Sequence, residues 1–173
     1  MDRHFELTDK FIINAFGAKL FQIKCTRKIK YADIGDLGGY IEKENNLSGD
    51  AWVSGNAQVS GDAQVSGDAQ VSGDAWVYGN AQVYGNAWVY GNAWVSNDNE
   101  HCGFDCFGSA NRHTHSYKTK SGKIEITCGC FRGSIEEFEK QIKETHRGNE
   151  FERQYMAIVE VIDRKSTRLN SSH

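Results

Sequence analysis

The chain contains no proline. Its reversals must therefore be made by Gly, Asn, Asp and Ser, each of which reaches turn conformations by its own route. Lys and Arg are missing between Glu44 and Ala110, a stretch that carries Glu44, Asp50, Asp62, Asp68, Asp74, Asp98, Glu100 and Asp105. Phosphates need cations, so this acidic stretch argues against extended nucleic acid as a partner. No apolar run approaches the roughly 18 residues of a membrane span. The opening Met1-Asp2-Arg3-His4-Phe5-Glu6 lacks the apolar core of a secretory signal. Both absences point away from the membrane and toward a cytoplasmic protein. The five cysteines are an odd number and make no complete disulfide framework, so reduced thiols are expected.

What is present is a repeat. Apolar residues recur at every sixth position: Ile41, Leu47, then valine from Val53 through Val95. Glycine follows two positions later from Gly49 to Gly91, then Asn or Asp, then alanine from Ala51 to Ala93. The unit reads Ala-x-Val-x-Gly-[Asn/Asp]. Side chains alternate faces along a strand, so Ala and Val, two apart, point inward while the x residues beside Val point outward. Gly-[Asn/Asp] turns the corner, since both positions tolerate left-handed backbone. One such strand cannot bury its face alone, but coils stacked at about 4.8 Å can. A period of six keeps no face of an α-helix apolar, and a glycine in every unit would cost a helix about 1 kcal/mol each.

The pattern resembles the hexapeptide-repeat family. The resemblance implies a left-handed parallel β-helix in which three hexads make one triangular coil, and it implies a homotrimer. On that basis residues 41–97 give about three coils with open ends that need caps. Outward residues eighteen apart then stack. One face carries Trp52, Gln70 and Trp88, with Tyr90 beside them. The second carries Gln58, Trp76 and Trp94, with Tyr78. The third carries Gln64 and Gln82, with Tyr84. Trp52, Trp76, Trp88, Trp94, Tyr78, Tyr84 and Tyr90 are thus the candidate ligand or partner surface, because clustered exposed aromatics mark interfaces. The plainer reading packs them on the terminal segments or on a sister subunit, and the sharper one makes them a stacking platform for a nucleobase or other flat ligand. Asp50 and Asp68 would lie one above the other at a corner, solvated or bridged by a cation.

The flanks read differently. Residues 1–40 form an N-terminal β cap, with Lys19–Cys25 as a strand. Its Lys24, Arg27, Lys28 and Lys30 make a small basic cluster, a solvated face or an anion contact. Residues 98–163 form a small C-terminal ββαα domain. A hairpin joins His115–Lys120 to Lys123–Cys128 through Ser121-Gly122. A helix follows, capped by Ser134 and Glu137, with Ile135, Phe138 and Ile142 as its apolar stripe and Glu136–Lys140 and Glu139–Lys143 as outer pairs. A second helix runs from about Glu150 to Ile162. Residues 164–173 have no period and resemble translated adapter sequence, so a disordered, non-native tail is expected. The fold class is mainly β.

Three further stretches carry a closer likeness: Asp36-Leu37-Gly38-Gly39-Tyr40-Ile41-Glu42 leading to Asn46-Leu47-Ser48, then Cys128-Gly129-Cys130-Phe131-Arg132-Gly133-Ser134, then Lys143-Glu144-Thr145-His146. With these the chain resembles a group of phage and prophage hexapeptide-repeat proteins. The resemblance implies a mobile-element origin and a host cytoplasm, and it brings no activity with it.

Catalytic residues are hard to place. Hexapeptide-repeat acyltransferases use a histidine base, and none of His4, His101, His113, His115, His146 and His173 lies in the coils. The metal candidates follow the repeat: Cys102, Cys106, His113, His115, Cys128 and Cys130 offer six soft or borderline ligands, enough for a structural zinc. Cys128-x-Cys130 would put both thiols on one face of a strand. The expected function is a non-catalytic binding or scaffold protein, with counter-defence by binding a host protein or sequestering a small signalling nucleotide. The alternatives are an acyltransferase using His113 or His115, and a virion or assembly component.

Overall fold

The computed structural model describes residues 3–170, with side chains described through Thr167. The described residues form two compact units, divided between Asp98 and Asn99.

The first unit is a β-solenoid of about three turns behind an N-terminal strand region. Strands β1 (Phe5–Ile13), β2 (Lys19–Cys25) and β3 (Leu37–Ile41) come first. Eight two-residue strands follow, one per hexad: β4 (Trp52–Val53), β5 (Gln58–Val59), β6 (Gln64–Val65), β7 (Gln70–Val71), β8 (Trp76–Val77), β9 (Gln82–Val83), β10 (Trp88–Val89) and β11 (Trp94–Val95). They pair in parallel with an eighteen-residue offset, Trp52 beside Gln70 beside Trp88 and Gln58 beside Trp76 beside Trp94. The third row pairs Gln64 with Gln82. Ile41, Leu47 and every repeat Val and Ala are buried, which places the inward positions where the alternation puts them. Each buried valine contributes roughly 1.5–3 kcal/mol relative to exposure.

Short strands leave many peptide groups at corners, where an unpaired one is costly. Stacking satisfies them there too. Trp52 N donates to Ala69 O at 2.9 Å, Ser54 N to Val71 O at 2.9 Å, and the corner amide Asn56 N to Gly73 O at 3.0 Å. This contact demands glycine. Gly67 has φ +72°, and a Cβ there would lie 3.1 Å from the nitrogen of Gly85 one coil on.

The corner side chains relieve their own charge. Asn56 Nδ2 donates to Asp74 Oδ1 at 3.1 Å. Asp50, stacked in sequence with Asp68, pairs with Arg27 at 2.8 Å. The basic cluster is therefore occupied within the chain: Lys24 meets Glu6 at 3.4 Å, Lys28 meets Asp33 at 2.7 Å, and Lys30 lies 4.9 Å from the Tyr31 ring centroid. These pairs are exposed and screened by solvent, so they add little to the stability of the fold.

The N-terminal region continues one row of the solenoid. β1 and β2 are antiparallel, β2 and β3 antiparallel, and β3 then runs parallel to β5, giving the order β1-β2-β3-β5-β8-β11. The strand Lys19–Cys25 is where the alternation put it. β1 was not legible, because Asp9 breaks the alternation of Phe5, Leu7, Phe11 and Ile13, where the pairing with β2 also shifts register. His4 is buried ahead of β1, its Nε2 2.9 Å from Ala51 O and its ring 6.1 Å from Trp52.

The second unit is a four-stranded antiparallel sheet with two helices, richer than the expected ββαα. β12 (His101–Phe107), β13 (Arg112–Lys118), β14 (Ile124–Cys128) and β15 (Phe131–Gly133) lie in sequence order. The expected hairpin is β13–β14. The two added strands are masked in sequence, β12 by Gly103 and a left-handed Cys106 (φ 61°), β15 by being three residues long. α1 (Ile135–Thr145) has the expected capping box: Glu137 N donates to Ser134 Oγ at 3.3 Å and Ser134 N to the Glu137 carboxylate at 2.8 Å. Glu139 pairs with Lys143 as expected, at 3.5 Å, whereas Lys140 turns to Glu144, at 4.0 Å, rather than to Glu136. Ile126, Cys128, Phe138, Ile142, Tyr155, Ile158, Val159 and Ile162 make the core. α2 (Glu150–Asn170) corrects the expected end at Ile162: the helix continues through the segment expected to be disordered, as far as Asn170. Arg164 extends it by an i,i+4 pair with Glu160. The last part of the expected tail, 171–173, lies outside the described residues.

Two outcomes test this packing. Val71→Asp is expected to abolish soluble expression, because an unpaired buried carboxylate costs on the order of several kcal/mol against a total stability of about 5–15. A soluble variant with a cooperative melt would place Val71 outside. His4 supplies a pH test. Burial pushes its imidazole below the ordinary value, against opposing pulls from the Ala51 carbonyl and Asp50. The fold thus favours the neutral ring, and its contribution is present above about pH 6.5, the unfolded value, and lost as pH falls through the folded value. Melting temperature should fall on acidification below that point, and His4→Gln should flatten part of the decline in a melting series across pH.

Candidate functional site

The stacked rows bring the solenoid aromatics together in the predicted registers, but the N-terminal region claims most of them. The β1–β2 turn is shaped by Asn14, whose Oδ1 accepts from Phe16 N and Ala18 N at 2.9 Å each. It presents Phe16 to Trp76, Tyr78 and Trp94, with ring centroids at 5.9, 5.1 and 6.4 Å. Trp76 and Trp94 also meet each other at 5.1 Å, one coil apart. Trp52 is corrected outright: it is 4% exposed and packs beside His4, so it belongs to no open surface. Phe16 was missed because nothing in its local sequence signals that its hairpin reaches the second row.

Tyr84, Trp88 and Tyr90 remain on the third coil. Tyr84 is 67% exposed and Trp88 39%. Trp88 meets Tyr90 edge-to-face at 5.6 Å, and its Nε1 donates to Ser72 Oγ, one coil below, at 3.2 Å. The indole is thereby oriented by the ladder while the side chain stays partly exposed. Inward positions offer no chemistry, since they are Ala and Val with Ile41 and Leu47 at the start.

The six Cys and His candidates for metal fall on opposite sides of the C-terminal sheet. Thr114 and Ser116 lie opposite Cys128 and Ile126, on the face that packs under the helices. Cys102 shares that face and sits 3.0 Å from Ser116 Oγ, and Thr114 Oγ1 donates to Cys128 Sγ at 3.2 Å. His113 and His115, at the alternate positions of β13, point the other way. His115 Nε2 is 3.1 Å from His101 Nδ1, and His113 Nδ1 is 2.6 Å from Asp105 Oδ1. Cys106 and Cys130 are exposed. The expected common direction of Cys128 and Cys130 fails because Gly129, at φ +60°, turns the chain between them. Among the described residues no three His, Cys, Asp or Glu side chains gather as metal ligands. A zinc ion held by this set is therefore not supported, since no tetrahedron reaches through a sheet.

The Asp105–His113 pair has the form of an oriented base, a carboxylate holding one imidazole nitrogen. The other nitrogen, Nε2, is buried and has no hydrogen-bond partner among the described residues. The ring lies over Gly103, where a Cβ would come within 2.8 Å of it. A base must reach its substrate's proton, and this nitrogen faces the sheet.

Metal analysis of the purified protein should find no stoichiometric zinc, and a chelator should leave the melting temperature unchanged. Stoichiometric zinc lost together with stability would restore a metal centre.

No curated protein matches the chain. The family model YdcK Beta solenoid repeat matches residues 63–79 and 81–97, two segments whose starts lie eighteen residues apart, one coil of the observed register. No helix among the described residues is long and apolar enough to cross a membrane. Fold and match agree on one statement: the chain is a β-solenoid repeat protein.

Proposed function

We propose that the chain is a non-catalytic binding or scaffold protein, phage- or prophage-encoded, that works in the host cytoplasm as a homotrimer. The observation that carries this reading is the exposure of Tyr84 and Trp88, with half-buried Tyr90 edge-on to Trp88, on a ladder whose backbone is fixed by stacking. Trp and Tyr are the residues that anchor interfaces, and a surface already rigid loses little freedom on binding. Outward positions beside them are Gln, Ser, Asn and Asp, which suit a polar rim. Neighbouring subunits cover part of this surface and a host protein or small signalling nucleotide the rest, with counter-defence as the biological role.

Acyl transfer with His113 or His115 as base has the Asp105 contact in its favour. The buried Nε2 of His113 and the 1% exposure of His115 speak against it.

Light scattering at micromolar concentration should give a trimer, and native mass spectrometry after incubation with host lysate should show a retained species that is lost in Tyr84→Ala/Trp88→Ala. A monomer removes the assembly. A species retained equally by the variant removes the aromatic surface. Acetyl-coenzyme A turnover abolished by His113→Ala would establish the rival.

A further inference from the structure

We propose that the C-terminal unit carries, independently of the solenoid, a binding site for a small organic anion with a flat apolar body, with Arg112 as the anion-binding group. The site is a cavity of about 440 Å³ lined from β13, β14, β15, α1 and α2. That volume falls in the range of small-molecule pockets, roughly 300–1,000 Å³. Its walls divide by chemistry. Phe131, Phe138 and Ile142 give the apolar side, with the two phenyl rings 4.9 Å apart. Tyr155 and His146, stacked at 5.5 Å and 24°, add a second flat surface. A planar molecule fits such walls by ring contact.

The polar side is cationic. Arg112 and Arg132 both line the cavity, and no Asp or Glu does. Arg132 is already bound to Glu125. No carboxylate lies within ion-pair distance of Arg112 among the described residues. The exposed Arg112 side chain runs beside Gly129, where a Cβ would come within 2.7 Å of its Cδ and Nη1. Burial, and then Cys128, push the Tyr155 hydroxyl above its ordinary value, and the Arg112 guanidinium opposes them only in small part. A guanidinium over an apolar wall binds carboxylate or sulfonate by paired charge-assisted hydrogen bonds.

Exposed Cys130 lines the cavity, whereas exposed Cys106 does not. The molecule therefore carries its own reporter and its own control. The probes are 2-naphthoate, its neutral counterpart 2-naphthylmethanol, and acetate, titrated into the full chain by calorimetry. Alkylation of Cys130 and Cys106 is followed in parallel by peptide mass spectrometry. Naphthoate should bind saturably and slow alkylation of Cys130 but not of Cys106. Naphthylmethanol should bind about tenfold more weakly, and acetate not at all, at millimolar concentration. Arg112→Gln should remove the preference for the anion. Thr145→Trp, at an exposed lining position, should block both ring compounds with the melting temperature retained. No naphthoate binding, equal binding of the neutral compound, unchanged preference in Arg112→Gln, or protection of both thiols alike would each overturn the proposal. Loss of the solenoid reading would leave it standing.

Discussion

The hydrogen bond that each coil donates to the carbonyl seventeen residues ahead sets the terms for everything in the first unit. A single such bond is worth only about 0.5–1.5 kcal/mol net, but an amide buried without one costs about 1–3. Two-residue strands cannot hold enough amides to matter by themselves. The ladder therefore has to run through the corners as well, as at Asn56 N to Gly73 O and Asp50 N to Gly67 O. Corners that approach so closely leave no space for a Cβ, and their backbone lies in the left-handed region. Glycine follows from both demands, and the small alanine after it follows from the bend. The inward valines add the apolar core, but the spacing they pack at is dictated by the backbone.

Much of this was legible in the sequence because the repeat states it many times over. The period of six located the strands, the inward faces and, with eighteen residues to a coil, the stacking of Trp76 with Trp94. The β13–β14 hairpin and the start of α1 were equally visible, since Ser121-Gly122 and Ser134 with Glu137 are local signals. What stayed hidden was non-local. No local feature of Phe16 says that its turn reaches Trp76, Tyr78 and Trp94, and none says that Trp52 meets His4. Those encounters turned a surface of seven aromatics into one of three. β1 and β12 were missed because Asp9 and a left-handed Cys106 break their alternation, and the run of α2 beyond Ile162 because its last turns carry no apolar period.

The cysteine and histidine candidates show how spacing misleads on a sheet. Six candidate ligands within a short stretch looked like a coordination set. The pairing of Thr114 with Cys128 and Ser116 with Ile126 shows why it is not, since it fixes the thiols on the helix side and the imidazoles on the other. Alternation acts on each strand separately, so residues close in sequence are directed apart whenever they differ by an odd step in register. The C-terminal unit spends its thiols on core packing and a turn, and its histidines on contacts with Asp105 and with one another.

The eighteen-residue register also limits how such a chain can lengthen or shorten over generations. Near-identical hexads invite replication slippage, and a gain or loss of six residues keeps every valine inward. It would nonetheless move each later residue to the neighbouring row, so that Trp76 and Trp94 no longer sit under Phe16. A change by a whole coil preserves every vertical neighbour. Length variants that keep the N-terminal hairpin seated on its tryptophans should therefore differ by whole turns, although single hexads are the smaller genetic step.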